Sequence, residues 1–312
     1  MNYIAACYKK SGQLINIYLT QFRFAITLSS FVFTPLVSYA GSLENFNSSE
    51  IHVLPHETQE DLQYSSLQKA IDFSYNNLSP NVTSVKFVIH QGTYDGQSAV
   101  LRPKQGVHYE ITSASGSDPL PSFDGHQQQL TWLKIVSTNG SGSTVSISKL
   151  RITNYVTAIS IEGDRENLDK FNSGNKISDM RFENIGQNSP DASPSTAVIR
   201  LVNSRANEIL NNVFLNIRNV KDCNLLHSIY LAHHSSDNSI KNNSFANFCG
   251  SPIRVRDDSN RNIAKLNSFV NIQNKRLMDQ WFCDKNIRED CTKKQPEQDS
   301  HSNIFKMNEI SP

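Results

Sequence analysis

Arg200, His227, Tyr230, His233, His234, Arg254, Arg256, Asp257 and Asp258 crowd one stretch of a 312-residue chain whose surrounding sequence is mostly Asn, Ser and Ile. These are the residue types needed to handle an acidic sugar. An arginine fork binds a carboxylate at two points, and a tyrosine ring can lie on a sugar face. β-Elimination at a uronate needs a cation on the C5 carboxylate, a base for the C5 proton and an acid for the departing O4. Arg254 and Arg256 are the candidate cations, with His233 or His227 as base and Tyr230 as acid. Arg200, His234, Asp257 and Asp258 are candidate substrate contacts. The same groups, reprotonating the opposite face, would make a C5-epimerase. A hydrolase needs two carboxylates facing each other across the bond, about 5 to 9.5 Å apart, and the adjacent Asp257 and Asp258 suit that task poorly.

The same residues also have a quieter reading, in which Arg254 stacks on Tyr230 and Asp257 pairs with His233 as surface ladder contacts. No metal site is expected: a His233, His234, Asp257, Asp258 cluster is the alternative, and calcium, which prefers oxygen, would use the aspartates alone. No cofactor is required by this chemistry. His90, His108, His126 and His301 have no companions that single them out.

The elements that position these residues follow from a repeat. Ile229–Phe245, IYLAHHSSDNSIKNNSF, returns as Ile253–Phe269, IRVRDDSNRNIAKLNSF. Short alternating apolar runs separated by Asn, Ser and Asp turns, with no helical period, describe one coil of a parallel β-helix. Ile199–Phe214 carries the same skeleton, Asn175–Ile185 and Thr144–Asn154 keep the alternation, and Asn303–Ile310 resumes it after an insertion at about 274–302. Seven or eight coils of about 24 residues are expected. In such a stack Ile229 falls on Ile253 and Phe245 on Phe269, while Asn212, Asn243 and Asn267 share one turn. The outward residues then form two columns, Ser160, Arg200, Tyr230, Arg254 and Glu162, Val202, Ala232, Arg256, with His227 one step before the first and His233 and His234 over Asp257 and Asp258.

Phe24–Val37 is apolar but too short to span a bilayer, and Ser38-Tyr39-Ala40 is a small-x-small pattern, so residues 1–40 read as a secretory signal cut after Ala40. Those forty residues hold Lys9, Lys10 and Arg23 and no acid, leaving 27 of the 30 basic residues against 29 acidic ones. Such a balance is no nucleic-acid signature. The mature chain, 41–312, has no expected membrane span and is read as secreted or periplasmic. Its cysteines are even in number: Cys283 and Cys291 bracket a charged loop that reads as disulfide-closed, and Cys223 and Cys249, about one coil apart, could also pair.

Ser65-Ser66-Leu67-Gln68 is a capping-box pattern, so a helix at about 65–75 is expected to plug the first coil. SLQKAIDF followed by VKFVIHQGTY resembles the entry to the pectate-lyase-like right-handed parallel β-helix superfamily. HSIYLAHHSSDNSI, SPIRVRDDSNRN, WFCD and the Cys291–Asn303 tail resemble bacterial exported β-helix-repeat proteins. The resemblance implies an all-β solenoid and admits polysaccharide lyases, mannuronan C5-epimerases, glycoside hydrolases and non-catalytic adhesins. Two functions are therefore carried forward: an enzyme on an acidic polysaccharide, by elimination or epimerisation, and a β-helix that binds glycan or a surface partner without turnover.

Overall fold

The computed structural model describes residues 50–311, apart from 58–61, 78, 129–130, 141, 191–192, 275, 288, 290 and 292–295. The signal-peptide expectation for 1–40 lies outside the described residues.

Alternating inward residues make each short run a strand, and successive runs pair in parallel to give sheets of ten, eight and seven strands. One coil supplies one strand to each: Glu208–Leu210 to the first sheet, Val213–Ile217 to the second, His227–Ala232 to the third. The next coil repeats the order with Ser239–Lys241, Ser244–Phe248 and Ile253–Arg256. Stacked all-parallel sheets of this kind fit a parallel β-helix, in which every strand edge but the outermost is paired. Among the described residues, no helix is long and apolar enough to cross a membrane.

The expected register is present. Ile229 lies on Ile253, Phe245 on Phe269, and Phe182, Phe214, Phe245 and Phe269 stack with ring centroids 5.0, 4.8 and 4.8 Å apart. The expected uniform coil is not present. Equivalent asparagines are 24 residues apart between Asn238 and Asn262 and between Asn243 and Asn267, but 31 to 41 apart elsewhere. Extra residues enter at the corners, where they cost little: the long connections 184–196, 218–226 and 282–303 all enter or leave the third sheet. Loop closure grows only slowly more costly with length, so a solenoid can lengthen a corner without disturbing its strands.

Part of the expected insertion is itself a strand. Met278–Trp281 pairs in parallel with Ile253–Arg256, so the excursion proper begins at Phe282. Cys283 and Cys291 are disulfide-bonded within it, and Cys223 is bonded to Cys249. Both bonds are compatible with an extracellular location.

A helix occupies Leu67–Asn77 and buries Leu67, Ala70 and Ile71. Its start keeps half of a capping box, the Lys69 amide donating to Ser66 Oγ at 3.5 Å, and lacks the reciprocal bond. The Leu67 amide donates to Gln97 Oε1, while Gln68 Oε1 accepts from the Val100 amide instead of reaching back along its own chain.

Two buried asparagine ladders tie the coils together. Asn212, Asn243, Asn267 and Asn308 form one, each side chain accepting from the backbone amide and the side chain of the Asn in the coil before it, at 2.9 to 3.0 Å. Asn175, Asn207, Asn238, Asn262 and Asn303 form a second. Asn243 Nδ2 also donates to the Ile209 carbonyl at 2.9 Å. Asn243 is 1% exposed, so its removal strands several buried polar groups at once, each costing about 1–3 kcal/mol. Asn243→Ala is expected to destabilise the fold by about 3 kcal/mol or more. Asn242→Ala, on the exposed side of the same turn, is expected to cost about 1–2 kcal/mol through its left-handed backbone alone. Urea denaturation of the two variants checks the difference.

Candidate functional site

The third sheet builds the site. Its outward column runs Lys134, Ser160, Arg200, Tyr230, Arg254, Asp279, and the next holds Glu162, Val202 and Ala232, then Arg256 over Trp281. Both columns expected from the repeat are therefore in place, extended at the far end by Asp279 and Trp281.

Each arginine in these columns meets a carboxylate. Arg200 Nη2 is 2.7 Å from Glu162 Oε1, and Lys134 Nζ is 2.7 Å from the other oxygen. Burial alone would raise the Glu162 pKa; the bonds from Lys134 and Ser160 and the charge of Arg200 reverse that and hold it below its ordinary value. Arg254 Nη2 lies 2.8 Å from Asp279 Oδ2, where the expected stacking on Tyr230 gives way to an ion pair. Arg256 donates from Nε to Glu297 Oε2 at 2.6 Å and from Nη1 to the Tyr230 hydroxyl at 3.2 Å, with its guanidinium 4.1 Å over the Trp281 ring.

His233 and His234 follow the strand as two consecutive residues at φ of 50° and 65°, and Asp257 and Asp258 repeat this at 55° and 52° one coil on. The doubled left-handed turn swings the chain out of the third sheet and places each histidine over its aspartate. His233 Nδ1 is 2.5 Å from Asp257 Oδ2, and His234 Nδ1 is 3.0 Å from Asp258 Oδ2. Burial works against the charged Asp257, but the His233 hydrogen bond, the His233 charge and the Gln298 amide outweigh it and lower its pKa. A carboxylate on Nδ1 fixes the ring orientation and favours the tautomer with the proton on that nitrogen.

A cavity of about 360 Å³ brings together Arg200, Tyr230, His233 and Arg256, with Glu162 and Thr196 on its wall. Arg254 is not among its lining residues. It lines a neighbouring cavity of about 590 Å³ with Asn224, Arg276, Asp279 and Trp281, and Arg256 stands between the two. Arg200 Nε and Arg254 Nε are buried without a hydrogen-bond partner.

His227 is covered and not open to solvent. It is 3% exposed, its ring stacks 5.7 Å from that of Tyr230, and its Nδ1 lies 2.8 Å from the Ser251 carbonyl, to which it must donate. Strict alternation breaks just before Ile229: Ser228 is buried and aligns with the core residues Val198 and Ala158, so His227 lies beneath Tyr230. Burial, and then the charges of Arg254 and Arg256, push His227 down to about 3, so it is neutral at any ordinary pH and a weak base.

Glu297, which the repeat did not single out, closes the site from the insertion. One ligand atom each from His233, Asp257 and Glu297 lies within 4.8 Å of the others, a spacing that could hold a cation. Glu297 Oε2, however, accepts from both Arg256 and the Cys283 amide, so a cation there would compete with a guanidinium. His234 and Asp258, which pair with each other, line neither cavity.

No family of known proteins and no curated protein matches the chain. Among solved structures, it is similar to the ORF18 protein of Geobacillus virus E2 at 14% identity and a TM-score of 0.25, covering 75% of this chain and 61% of that one. The chain thus spans less than two thirds of that protein's length, and so low a score assigns neither fold nor function.

The buried neutral His227 makes the site acid-sensitive. Its folded pKa lies below its ordinary value, so the unfolded chain takes up a proton that the folded chain excludes. The stability associated with it is full above about pH 6.5 and is lost as the pH falls towards 3, by at most about 1.4 kcal/mol per unit. Glu162 and Asp257, both lowered, lose stability in the same direction. His227→Asn, whose amide can still donate to Ser251, is expected to flatten the slope between pH 6 and 4, measured by urea denaturation across that range.

Proposed function

We propose that this chain is an exported right-handed parallel β-helix of the pectate-lyase-like kind, its first coil covered by the Leu67–Asn77 helix, that acts on an acidic polysaccharide by removing the C5 proton of a uronate. The observation that carries this reading is the cavity shared by His233, Tyr230, Arg200 and Arg256. His233, held by Asp257, is the base. Tyr230, fixed between the His227 ring and the Arg256 fork, is the acid for the leaving oxygen. Arg200 and Arg256 face the uronate carboxylate, whose charge rises as the proton departs. Arg254, the other candidate cation from sequence, belongs to the adjoining subsite beside Trp281.

A second reading, glycan binding without turnover, has one observation in its favour. Arg200, Arg254 and Arg256 are each matched by Glu162, Asp279 and Glu297, so the sheet offers a polyanion little net positive charge.

One panel separates the two. Polygalacturonate, alginate and hyaluronan are incubated with the secreted protein, and the unsaturated product is followed by ultraviolet absorbance, with proton NMR for inversion at C5. His233→Ala and Arg256→Ala are each expected to lower the rate by about a hundredfold, the scale of one lost stabilising group of about 3 kcal/mol. Arg256→Lys should restore little, because an ammonium cannot reproduce a planar fork. Arg254→Ala should raise KM more than it lowers kcat. Binding of a polyuronate with neither product nor inversion would replace the enzymatic reading with the second.

A further inference from the structure

On the side of the solenoid formed by the second sheet, five strands have a residue with a left-handed backbone next to their last residue. In five consecutive coils that residue is Asn154, Asn184, Asn216, Asn247 and Asn271, at φ of 59°, 52°, 55°, 55° and 52°. Asparagine tolerates this conformation, so each one alone is unremarkable in backbone terms. The chain contains its own control. At the corner after the first sheet, six consecutive coils also place one left-handed residue in register, at φ of 55° to 58°, and these are Lys149, Asp179, Asn211, Asn242, Leu266 and Met307. The same backbone demand therefore accepts Lys, Asp, Leu and Met in this protein. Geometry does not account for an unbroken row of amides at the other corner.

The row faces solvent and lines a groove of about 570 Å³, in which Arg218 is the charged residue among the lining side chains and Gln127 and Gln273 add further amides. Asn271 Nδ2 donates to Asn247 Oδ1 at 2.8 Å, and Asn247 Nδ2 to Asn216 Oδ1 at 3.0 Å. A carboxamide has two donor hydrogens and two acceptor positions, so a bridging amide in the row uses one of each and keeps one of each for a ligand. The rungs repeat at the strand spacing, about 4.8 Å, so five of them run for roughly 19 Å.

We infer that this amide row is a binding groove for an uncharged, hydroxyl-rich polymer, a neutral polysaccharide, lying along the solenoid axis. A hydroxyl both donates and accepts, which matches the donor and acceptor that each rung presents. A polyanion would find a single guanidinium. Among the described residues the groove has no aromatic lining, so each sugar is held by exposed hydrogen bonds, which are individually weak against water. Affinity therefore accumulates with the number of rungs spanned. The inference is independent of the third-sheet chemistry, which uses none of these residues.

The test is isothermal titration of the full secreted protein with cellobiose, cellohexaose, laminarihexaose and maltohexaose, and with a galacturonate hexamer. At least one neutral hexamer is expected to bind, at least tenfold more tightly than cellobiose. The double variant Asn216→Gly/Asn247→Gly keeps the left-handed backbone without strain and removes two central amides. It should weaken the hexamer at least tenfold at an unchanged melting temperature. Asn242→Gly, in the mixed row, and His233→Ala should bind it as the parent does. If the double variant unfolds, Asn216→Asp, which keeps the shape but replaces the amide donor, takes its place and should weaken the hexamer about threefold, with no weakening overturning the inference. No binding by any neutral hexamer, binding of the galacturonate hexamer alone, or a double variant as tight as the parent would each overturn the inference.

Discussion

Every coil of this protein must turn three times, and each turn removes backbone amides from the sheet ladders while leaving them too deep for water. The buried asparagines satisfy that need. The Asn243 side chain accepts the Asn212 amide and returns its own hydrogens to the Ile209 carbonyl and the Asn267 side chain, so one residue ties its own coil to the coils on both sides. An amide can do this only when the next coil sits in register, because both partners lie at fixed points of neighbouring turns. The ladders therefore select one register among those that parallel pairing would allow. The phenylalanine stack adds apolar burial along the same line.

Register, once set, decides which side chains meet on the surface. Tyr230 can be gripped by Arg256 because their strands pair with Tyr230 beside Arg254 and Arg256 one outward step further on. His233 can rest on Asp257 because the two turns superpose. The residues that complete the site come from outside the repeat. Asp279 belongs to the strand that continues the third sheet, and Glu297 returns from the disulfide-closed excursion to meet Arg256 and the Cys283 amide. A rigid sheet thus aims the cationic and basic groups, and a corner insertion brings the anion that neutralises one of them. The lengthened corners border this sheet, which is where a solenoid can add residues without losing a rung.

The columns of the third sheet and the His-Asp pairing were readable in advance because they obey two simple periods, alternation along a strand and repetition between coils. What escaped has identifiable causes. The offset of 24 holds where both corners are short, so a uniform coil was an extrapolation from Asn238 and Asn262 to corners that carry loops. The second buried ladder was visible at Asn238 and Asn262 but not at Asn207 or Asn175, since the varying coil lengths break the alignment there. Glu297 lies in a segment without repeat character, and nothing in a linear pattern indicates which coil it returns to. His227 was read as an open outward step before Tyr230, whereas a break in the alternation at Ser228 and a backbone acceptor at Ser251 hold it covered under the tyrosine ring.

The left-handed corners show how one constraint can serve two ends. A turn that requires positive φ narrows the choice of residue, and Asn, Asp and His are the side chains that accept it most readily short of glycine. Such a fold is driven to place polar, hydrogen-bonding and titratable groups on its outer corners, one above another at the strand spacing. At the His233 and Asp257 corner this produces a histidine resting on a carboxylate. At the Asn216 and Asn247 corner it produces a neutral amide row. The mixed row of Lys149, Asp179, Asn211, Asn242, Leu266 and Met307 marks what the backbone alone accepts. Departures from that mixture, towards paired charges on one side and towards uniform amides on the other, are therefore set by what the side chains meet on the surface and not by the turn that carries them.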